Sequence, residues 1–291
     1  MTPAQYTQEY AGMWSWIIDD DETYSGTPII NYLQNNKQSS ATKAQSVRAD
    51  EAYAALTRAI QAEIGGGLGS VFKVGDETYM TLSLQRVFWG KGAPNEIQDV
   101  LWLATWLDVP GLADVKRYCN ERLGVDCGGF VANYWGFGRP TLKDPKPDGS
   151  AGMLPRTFWG EAGTRRRARP DQIQPGDAVI FFEGKVFNND PSTLAPQRSD
   201  GSYDTAKGTK AFHIGLVESM SASGNDVRAL RVAESSGARS IYAGSGVNVR
   251  DVAIKSTTVG GGLVGCALSD SERIYFVGPR NGRANPYLSQ Y

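Results

Sequence analysis

The stretch "GVDCGGF" (residues 124–130) places a cysteine after an acid and before two glycines. A thiol acts as a nucleophile when it is ionised, and a helix N-terminus favours the thiolate because unpaired backbone N–H groups and the positive end of the helix dipole point toward it. Asp126 is a good N-cap residue, and the apolar residues after Cys127 fit the first turns of a helix. The pattern therefore predicts Cys127 at a helix start, either as a nucleophile or as a small buried hydrophobe.

The chain of 291 residues contains one histidine, His213, so any chemistry that needs an imidazole has to use it. His213 opens the run "HIGLV", whose apolar residues predict a strand anchored in the core with the histidine at its mouth. An imidazole at a strand start, downstream of a thiol at a helix start, favours the nucleophile interpretation of Cys127, because a weak nucleophile needs a base beside it.

The elements upstream of Cys127 are predicted to be helical, with one hairpin. Residues 50–67 have helical spacing, with Asp50 able to cap the first turn and three glycines at the end. Residues 95–111 return to helical spacing, and we expect Trp102 and Trp106, one turn apart, to pack in the core of that helix. Residues 70–82 are predicted to form two short strands around a Gly-Asp turn. A further helix is predicted at residues 112–123, with Cys119 on its core side.

The pattern changes to strands after Cys127. Helices followed by strands, without regular β-α alternation, predict an α+β fold with a mainly antiparallel sheet. Two long stretches, residues 136–170 and 183–212, have loop composition and are expected to be loop insertions. The four strands are predicted at "DAVIFF" (177–182), "HIGLVESM" (213–220), "ALRVAES" (229–235) and "ERIYFVG" (272–278).

Composition excludes several classes of partner. The formal net charge of −1 argues against a nucleic-acid partner, and no apolar run is long enough for a membrane span, so no membrane insertion is expected. Cys119, Cys127 and Cys266 form no CxxC pair, which argues against a disulfide framework and a zinc site. Residues 1–30 show no Sec-type signal, which predicts cytoplasmic synthesis. No cofactor or metal is expected.

Four other motifs have ordinary interpretations. The arginine run "TRRRARP" (164–170) is expected to be a solvated loop, and "GGGLVG" (260–265) a turn and not a nucleotide site. The acidic run at residues 19–22 and the segment "SDGSYD" (199–204) lack the spacing of an EF-hand.

Three motifs in succession, "DCGGF", "IQPGDAVIFF" and "HIGLV", resemble the signatures of the NlpC-type cell-wall cysteine peptidases. These are papain-like bacterial enzymes that cleave peptidoglycan stem peptides. The resemblance covers roughly residues 112–277, with a longer insert than usual before the histidine. It implies a papain-like core, with the cysteine helix packed on the sheet, within residues 96–291. Residues 1–95 would be a largely helical accessory region.

The resemblance also implies roles for individual residues. Cys127 matches the nucleophile and His213 the general base, while a polar residue on the next strand orients the imidazole. Strand alternation favours Glu234 for that third position, with Ser235 as the second choice. The family usually has serine where this chain has Gly128, and in some members that serine and the preceding acid, here Asp126, hold the free amine of the stem peptide. Asp126, Gly128 and Ser235 are therefore expected to bind substrate.

The function that follows is a peptidoglycan hydrolase that cleaves an amide bond in stem peptides by a Cys–His mechanism. Without a Sec signal, it would reach a periplasm or cell wall by another route, as an antibacterial effector with a cognate immunity protein or as a phage-type lysin. Two alternatives remain open: a cysteine enzyme that deamidates or acylates a protein, and a catalytically silent module that binds cell wall or protein.

Overall fold

A computed structural model gives the protein a mixed α and β structure with antiparallel sheets. Two compact units divide the chain. The helical unit comprises residues 6–152 and 235–248, and the sheet unit comprises residues 1–5, 153–234 and 249–291. The structure describes residues 1–17, 22–27, 29, 32–33, 40–109, 115–146, 154–160, 164–184, 208–237 and 246–279.

Seven α-helices and twelve strands lie in the described part of the chain. The helices are α1 (Pro3–Ala11), α2 (Ser40–Ile64), α3 (Thr81–Phe88), α4 (Pro94–Trp106), α5 (Val115–Arg122), α6 (Cys127–Trp135) and α7 (Pro155–Gly160). The strands are β1 (Met13–Ile17), β2 (Glu22–Thr27), β3 (Val71–Val74), β4 (Glu77–Met80), β5 (Thr164–Arg166), β6 (Ala178–Glu183), β7 (Lys210–Ser223), β8 (Asp226–Ser236), β9 (Gly246–Asp251), β10 (Ser256–Gly260), β11 (Leu263–Ala267) and β12 (Glu272–Pro279).

The helical unit contains the elements predicted upstream of Cys127. The hairpin β3–β4 turns at Gly75, whose φ of 59° is accessible to glycine, and Cys119 on α5 is buried, as predicted. The prediction that Asp50 caps a helix is wrong, because α2 begins ten residues earlier, at Ser40. The hairpin β1–β2 was not predicted. None of the helices in the described ranges combines the length and the apolar character needed to cross a membrane.

Helix α4 buries one face and exposes two tryptophans. The predicted core placement of Trp102 and Trp106 is wrong, since they are 40% and 56% exposed. Four smaller buried residues fill the inward face of this helix: Ile97, Val100, Leu101 and Ala104. The two tryptophans, one turn apart, therefore lie outside that face.

The large sheet has the strand order β10-β11-β12-β6-β7-β8-β9, with β5 paired to β12. Every strand pair with a described register is antiparallel, and the four predicted strands correspond to β6, β7, β8 and β12. Strand β6 lies between two neighbours, and its residues 178–182 are fully buried. The sequence of β6 is a continuous apolar run because both faces of the strand are covered.

Of the predictions for the arginine run, the glycine-rich motif and the loop at residues 136–170, the second is confirmed and the other two are wrong. The arginine run is not a solvated loop: it contains β5, and the Arg167 guanidinium pairs with the buried Asp177 carboxylate at 2.6 Å. The glycine-rich motif forms the β10–β11 turn, with positive φ at Gly261 and Gly262. Residues 136–170 are not one loop, since α7 and β5 lie within them. Asp19 to Asp21 and residues 199–204 lie outside the described residues, and the division at residue 95 stays a prediction.

Candidate active site

Cys127 is the first residue of α6, in the helical unit, as the sequence predicts. Asp126 has the extended conformation of an N-cap, and its Oδ1 accepts a hydrogen bond from the Gly129 N–H at 2.6 Å. At the other end, Gly136 adopts a left-handed conformation and closes the helix. Cys127 is 6% exposed, whereas Cys119 and Cys266 are 1% and 0% exposed. The thiol therefore lies where unpaired helix N–H groups can stabilise a negative charge.

The Gly90–Gly92 loop packs directly against the start of α6. The Asp126 N–H donates to the Gly90 carbonyl at 2.8 Å, and the Lys91 ammonium donates to Asp126 Oδ2 at 2.5 Å. Lys91 and Asp126 are both buried. Both carboxylate oxygens of Asp126 have partners inside the chain, so a substrate amine at this acid would have to share it with Lys91 and the Gly129 N–H. The predicted substrate-binding role of Asp126 remains untested.

Gly129 is required by this close approach of two backbone segments. A Cβ at this position would lie 2.6 Å from the Gly90 carbonyl oxygen and 2.9 Å from Lys91 Cα, both of them backbone atoms. The glycine therefore accommodates a segment of the same chain beside Cys127, which explains why a poor helix former stands in the first turn of α6.

Replacing Gly129 with alanine is expected to destabilise the protein by about 1–3 kcal/mol, because the backbone of the loop has to move. Gly66→Ala is the matched control, since a Cβ there meets no atom within 4 Å. Urea denaturation of the two variants and the wild type measures the difference. Equal free energies of unfolding for both variants would contradict the close packing.

The buried side chain of Arg86 holds the Gly90–Gly92 loop in place through hydrogen bonds. Arg86, 2% exposed, donates from Nη2 to the Lys91 carbonyl at 2.8 Å and to Asn133 Oδ1 at 2.6 Å. Its Nε donates to the Glu96 carboxylate at 3.3 Å, and its Nη1 to the Gly138 carbonyl at 3.0 Å. One guanidinium thus connects α3, α4, α6 and the two loops beside them.

Tyr32 supplies a hydroxyl group near the Cys127 thiol. Its Oη lies 4.0 Å from Cys127 Sγ, and its ring packs against Gly237. Burial, followed by the charges of Cys127 and Asp126, raises the pKa of Tyr32 well above its usual value of 10.0. The phenol therefore keeps its proton at neutral pH and can donate a hydrogen bond toward the sulfur or an atom bound to it.

Ser235 and Gly128 are both buried in the helical unit. The Ser235 hydroxyl donates to the carbonyl of Val125 at 2.6 Å, so it fixes the chain two residues before Cys127. Ser235 therefore positions backbone in this structure, and the predicted substrate contacts of Ser235 and Gly128 stay predictions.

His213 is the fourth residue of β7 in the sheet unit, so the prediction that it opens the strand is wrong. It is hydrogen-bonded to the residue that alternation selects. Its Nε2 lies 2.8 Å from Glu234 Oε2, and Glu234 has no exposed surface. Arg250 on β9 contacts the same carboxylate, with Nε 2.5 Å from Oε1 and Nη2 3.0 Å from Oε2. The aromatic ring of Phe181 lies 5.2 Å from the imidazole centroid.

The charges around Glu234 keep it ionised. Burial alone raises the pKa of a carboxyl group, but His213 and Arg250 outweigh burial and lower the pKa of Glu234 from 4.5 to about 2. A carboxylate that stays ionised at neutral pH can orient the imidazole and stabilise its protonated form.

Glu234 should make the stability of the protein depend on pH. Because its pKa is lower in the folded chain, its contribution is present above pH 4.5 and is lost as the pH falls toward 2. We expect the difference in unfolding free energy between wild type and Glu234→Gln to shrink by about 3 kcal/mol from pH 6 to pH 2. Glu183→Gln, at a half-exposed ion pair with Lys210, should keep the wild-type pH dependence. Parallel curves for wild type and Glu234→Gln would contradict the assignment.

The structure brings His213 together with Glu234 in the sheet unit, and places Asp126, Cys127 and Gly128 in the helical unit. Sequence reasoning missed Tyr32, Lys91 and Arg250. Their residue types occur throughout the chain, and no local pattern distinguishes these three. Among the described side chains, no group of three or more His, Cys, Asp or Glu residues is placed to hold a metal ion.

Comparison of the chain with protein-family models, curated proteins and solved structures gives no match. The resemblance to NlpC-type peptidases therefore rests on the three sequence motifs alone.

Proposed function

We propose that the protein is a cysteine hydrolase that cleaves an amide bond in peptidoglycan stem peptides. The observation that carries the proposal is the buried hydrogen bond between Glu234 and His213, the only imidazole of the chain. A fully buried, ionised carboxylate bonded to one ring nitrogen is the arrangement that orients a general base. The capped helix start at Cys127 adds a site that favours a thiolate.

The mechanism begins with attack of the Cys127 thiolate on the scissile carbonyl carbon, which forms a C–S bond and an oxyanion. The protonated His213 ring gives its proton to the leaving amine as the C–N bond breaks. Water, deprotonated by the same ring, then hydrolyses the acyl-enzyme and releases the thiolate.

Two donors are assigned to the oxyanion in this mechanism. One is the backbone N–H of Cys127, which belongs to the first turn of α6. The other is the Tyr32 hydroxyl, whose distance of 4.0 Å from Sγ suits an atom held one bond beyond the attacked carbon. The residues before position 95 would thus contribute to the chemistry itself.

Mass spectrometry of purified peptidoglycan, isolated stem peptides and an extract of bacterial proteins, each incubated with the protein, tests the proposal. New peptide termini support it and identify the bond. A mass gain of one unit on a protein glutamine would favour a deamidase, and an added acyl group an acyltransferase. Binding to sacculi without any new terminus would favour a silent module, and each of these last three results contradicts the hydrolase.

Delivery belongs to the same proposal. A cell-wall hydrolase of this kind would be delivered by a secretion system as an antibacterial effector, with an immunity protein as its partner, or would act in phage lysis. Loss of killing by the producing strain after the Cys127→Ala substitution would support the effector role.

A further inference from the structure

We propose that Arg250 is a positioning residue for the same reaction: it holds the Glu234 carboxylate in the orientation that accepts the His213 Nε2 proton and so fixes the tautomer of the imidazole. The catalytic consequence rests on the proposed function. The positioning itself can be measured without any activity.

The geometry of the carboxylate supports this role. Arg250 contacts both oxygens of Glu234, so the guanidinium and the carboxylate face each other in the two-point arrangement that only arginine provides. His213 shares Oε2 with Arg250 Nη2, and this leaves the carboxylate little freedom to rotate away from the ring. The charged groups placed against Glu234 in the described structure are His213 and Arg250.

Arg250 is itself held in place. Its side chain is 10% exposed, and its guanidinium carbon lies 5.4 Å from the centre of the Phe181 ring. Strand β9 neighbours β8, so arginine and glutamate come from adjacent strands and not from a mobile loop. A glutamate side chain without this partner would regain rotamer freedom, which weakens its hold on the imidazole.

The tautomer decides which ring nitrogen can act. With the proton held on Nε2 by Glu234, the lone pair of the neutral ring is on Nδ1, and Nδ1 is the atom that accepts the proton of a thiol. Arg250 therefore acts on catalysis through Glu234 and the ring, and it need not touch the substrate.

Nuclear magnetic resonance of histidine-labelled protein tests the positioning directly. Because the chain has a single histidine, both ring nitrogens give unambiguous signals. In wild type, at a pH high enough for the ring to be neutral, we expect a slowly exchanging Nε2 proton and a single tautomer. In Arg250→Met this proton should exchange too fast to detect, with both tautomers populated, and Arg250→Lys should lie between. A wild-type proton on Nδ1, or an Arg250→Met spectrum like that of wild type, would overturn the proposal.

Arg231→Met is the matched control. Arg231 lies on β8 and pairs with Asp251 on β9, at 3.3 Å and with side chains 55% and 84% exposed. The Arg231→Met substitution removes an arginine from β8, the strand next to β9, but leaves the contacts of Glu234 intact. The imidazole spectrum of this variant should therefore match that of wild type. Thermal melts of all variants show whether the Met variant folds, and Arg250→Lys keeps the test open if it does not.

A double-mutant cycle tests the catalytic consequence. We expect Arg250→Met to lower kcat/KM about tenfold or more, with the acid limb of its pH profile moved to higher pH, and to cause no further loss in a Glu234→Gln background. Losses that multiply would show that Arg250 acts independently of Glu234 and would overturn the proposal. A wild type that cleaves no peptide would contradict the proposed function, whereas the resonance experiment would still decide the positioning.

Discussion

Replacing Cys127 with alanine is expected to reduce stem-peptide hydrolysis by at least about 10⁴-fold, to the level of background, because no other group can form the acyl-enzyme. Chromatography of peptidoglycan digests, with each muropeptide identified by mass, measures this loss. The variant should unfold at nearly the wild-type denaturant concentration, since alanine fits in the space of a thiol at the start of α6.

Cys266→Ala is the control for this substitution. Burial outweighs the hydrogen bond with Thr257, which lowers the pKa, and raises the pKa of the Cys266 thiol to about 12; burial also raises the pKa of Cys119 to about 12. Both thiols therefore stay protonated at neutral pH, and Cys266→Ala should retain activity. Equal product from wild type and Cys127→Ala would end the hydrolase proposal.

Alkylation by iodoacetamide gives a readout of the same thiol without substrate. A single modification at Cys127 is expected at pH 7, because the other two thiols are fully buried and protonated. The His213→Gln variant should react more slowly if the imidazole ionises the thiol. An unchanged rate in that variant would contradict the pairing of Cys127 and His213 on which the mechanism depends.

The groups predicted from the sequence are those with local signals. The Asp126 cap and the helix start at Cys127 are indicated by residue types within a few positions of each. The alternation that selects Glu234 is likewise visible in the residues next to it. Tyr32, Lys91 and Arg250 were missed because their partners lie far along the chain: Tyr32 and Cys127, for example, are separated by 95 residues. Only packing brings such pairs together.

Errors in the fold have a similar origin. The start of α2 at Ser40 was missed because polar residues that form good helices, such as those before Asp50, carry no apolar periodicity. The arginine run looked solvated because charge alone cannot show that Asp177 would meet Arg167 in the sheet unit. Propensity and pattern describe one segment at a time, whereas these outcomes depend on which segments become neighbours.

Arg86 shows how far such long-range contacts determine the position of the nucleophile. Its guanidinium holds the Lys91 carbonyl, the Lys91 ammonium holds Asp126, and Asp126 caps the helix that begins with Cys127. Each link is buried, so none of these groups can turn to water if its partner is removed. The helix start is therefore positioned by a residue 41 places upstream of Cys127 as much as by its own cap.

Arg86→Met is accordingly expected to lower the unfolding free energy by about 3–5 kcal/mol, because it leaves the buried Glu96 carboxylate without its cation. Arg58→Met, at an exposed position of α2, should change it by no more than about 0.5 kcal/mol. Urea denaturation measures both.

Glu96→Gln distinguishes the lost charge pair from lost packing. In the double variant with Arg86→Met, the neutral amide no longer needs a cation, so we expect the double variant to be clearly more stable than the sum of the single effects predicts. Additive effects would show that Glu96 does not depend on Arg86. Faster loss of Cys127 to iodoacetamide in Arg86→Met than in Arg58→Met, below the unfolding transition, would show that the network also holds the nucleophile in place.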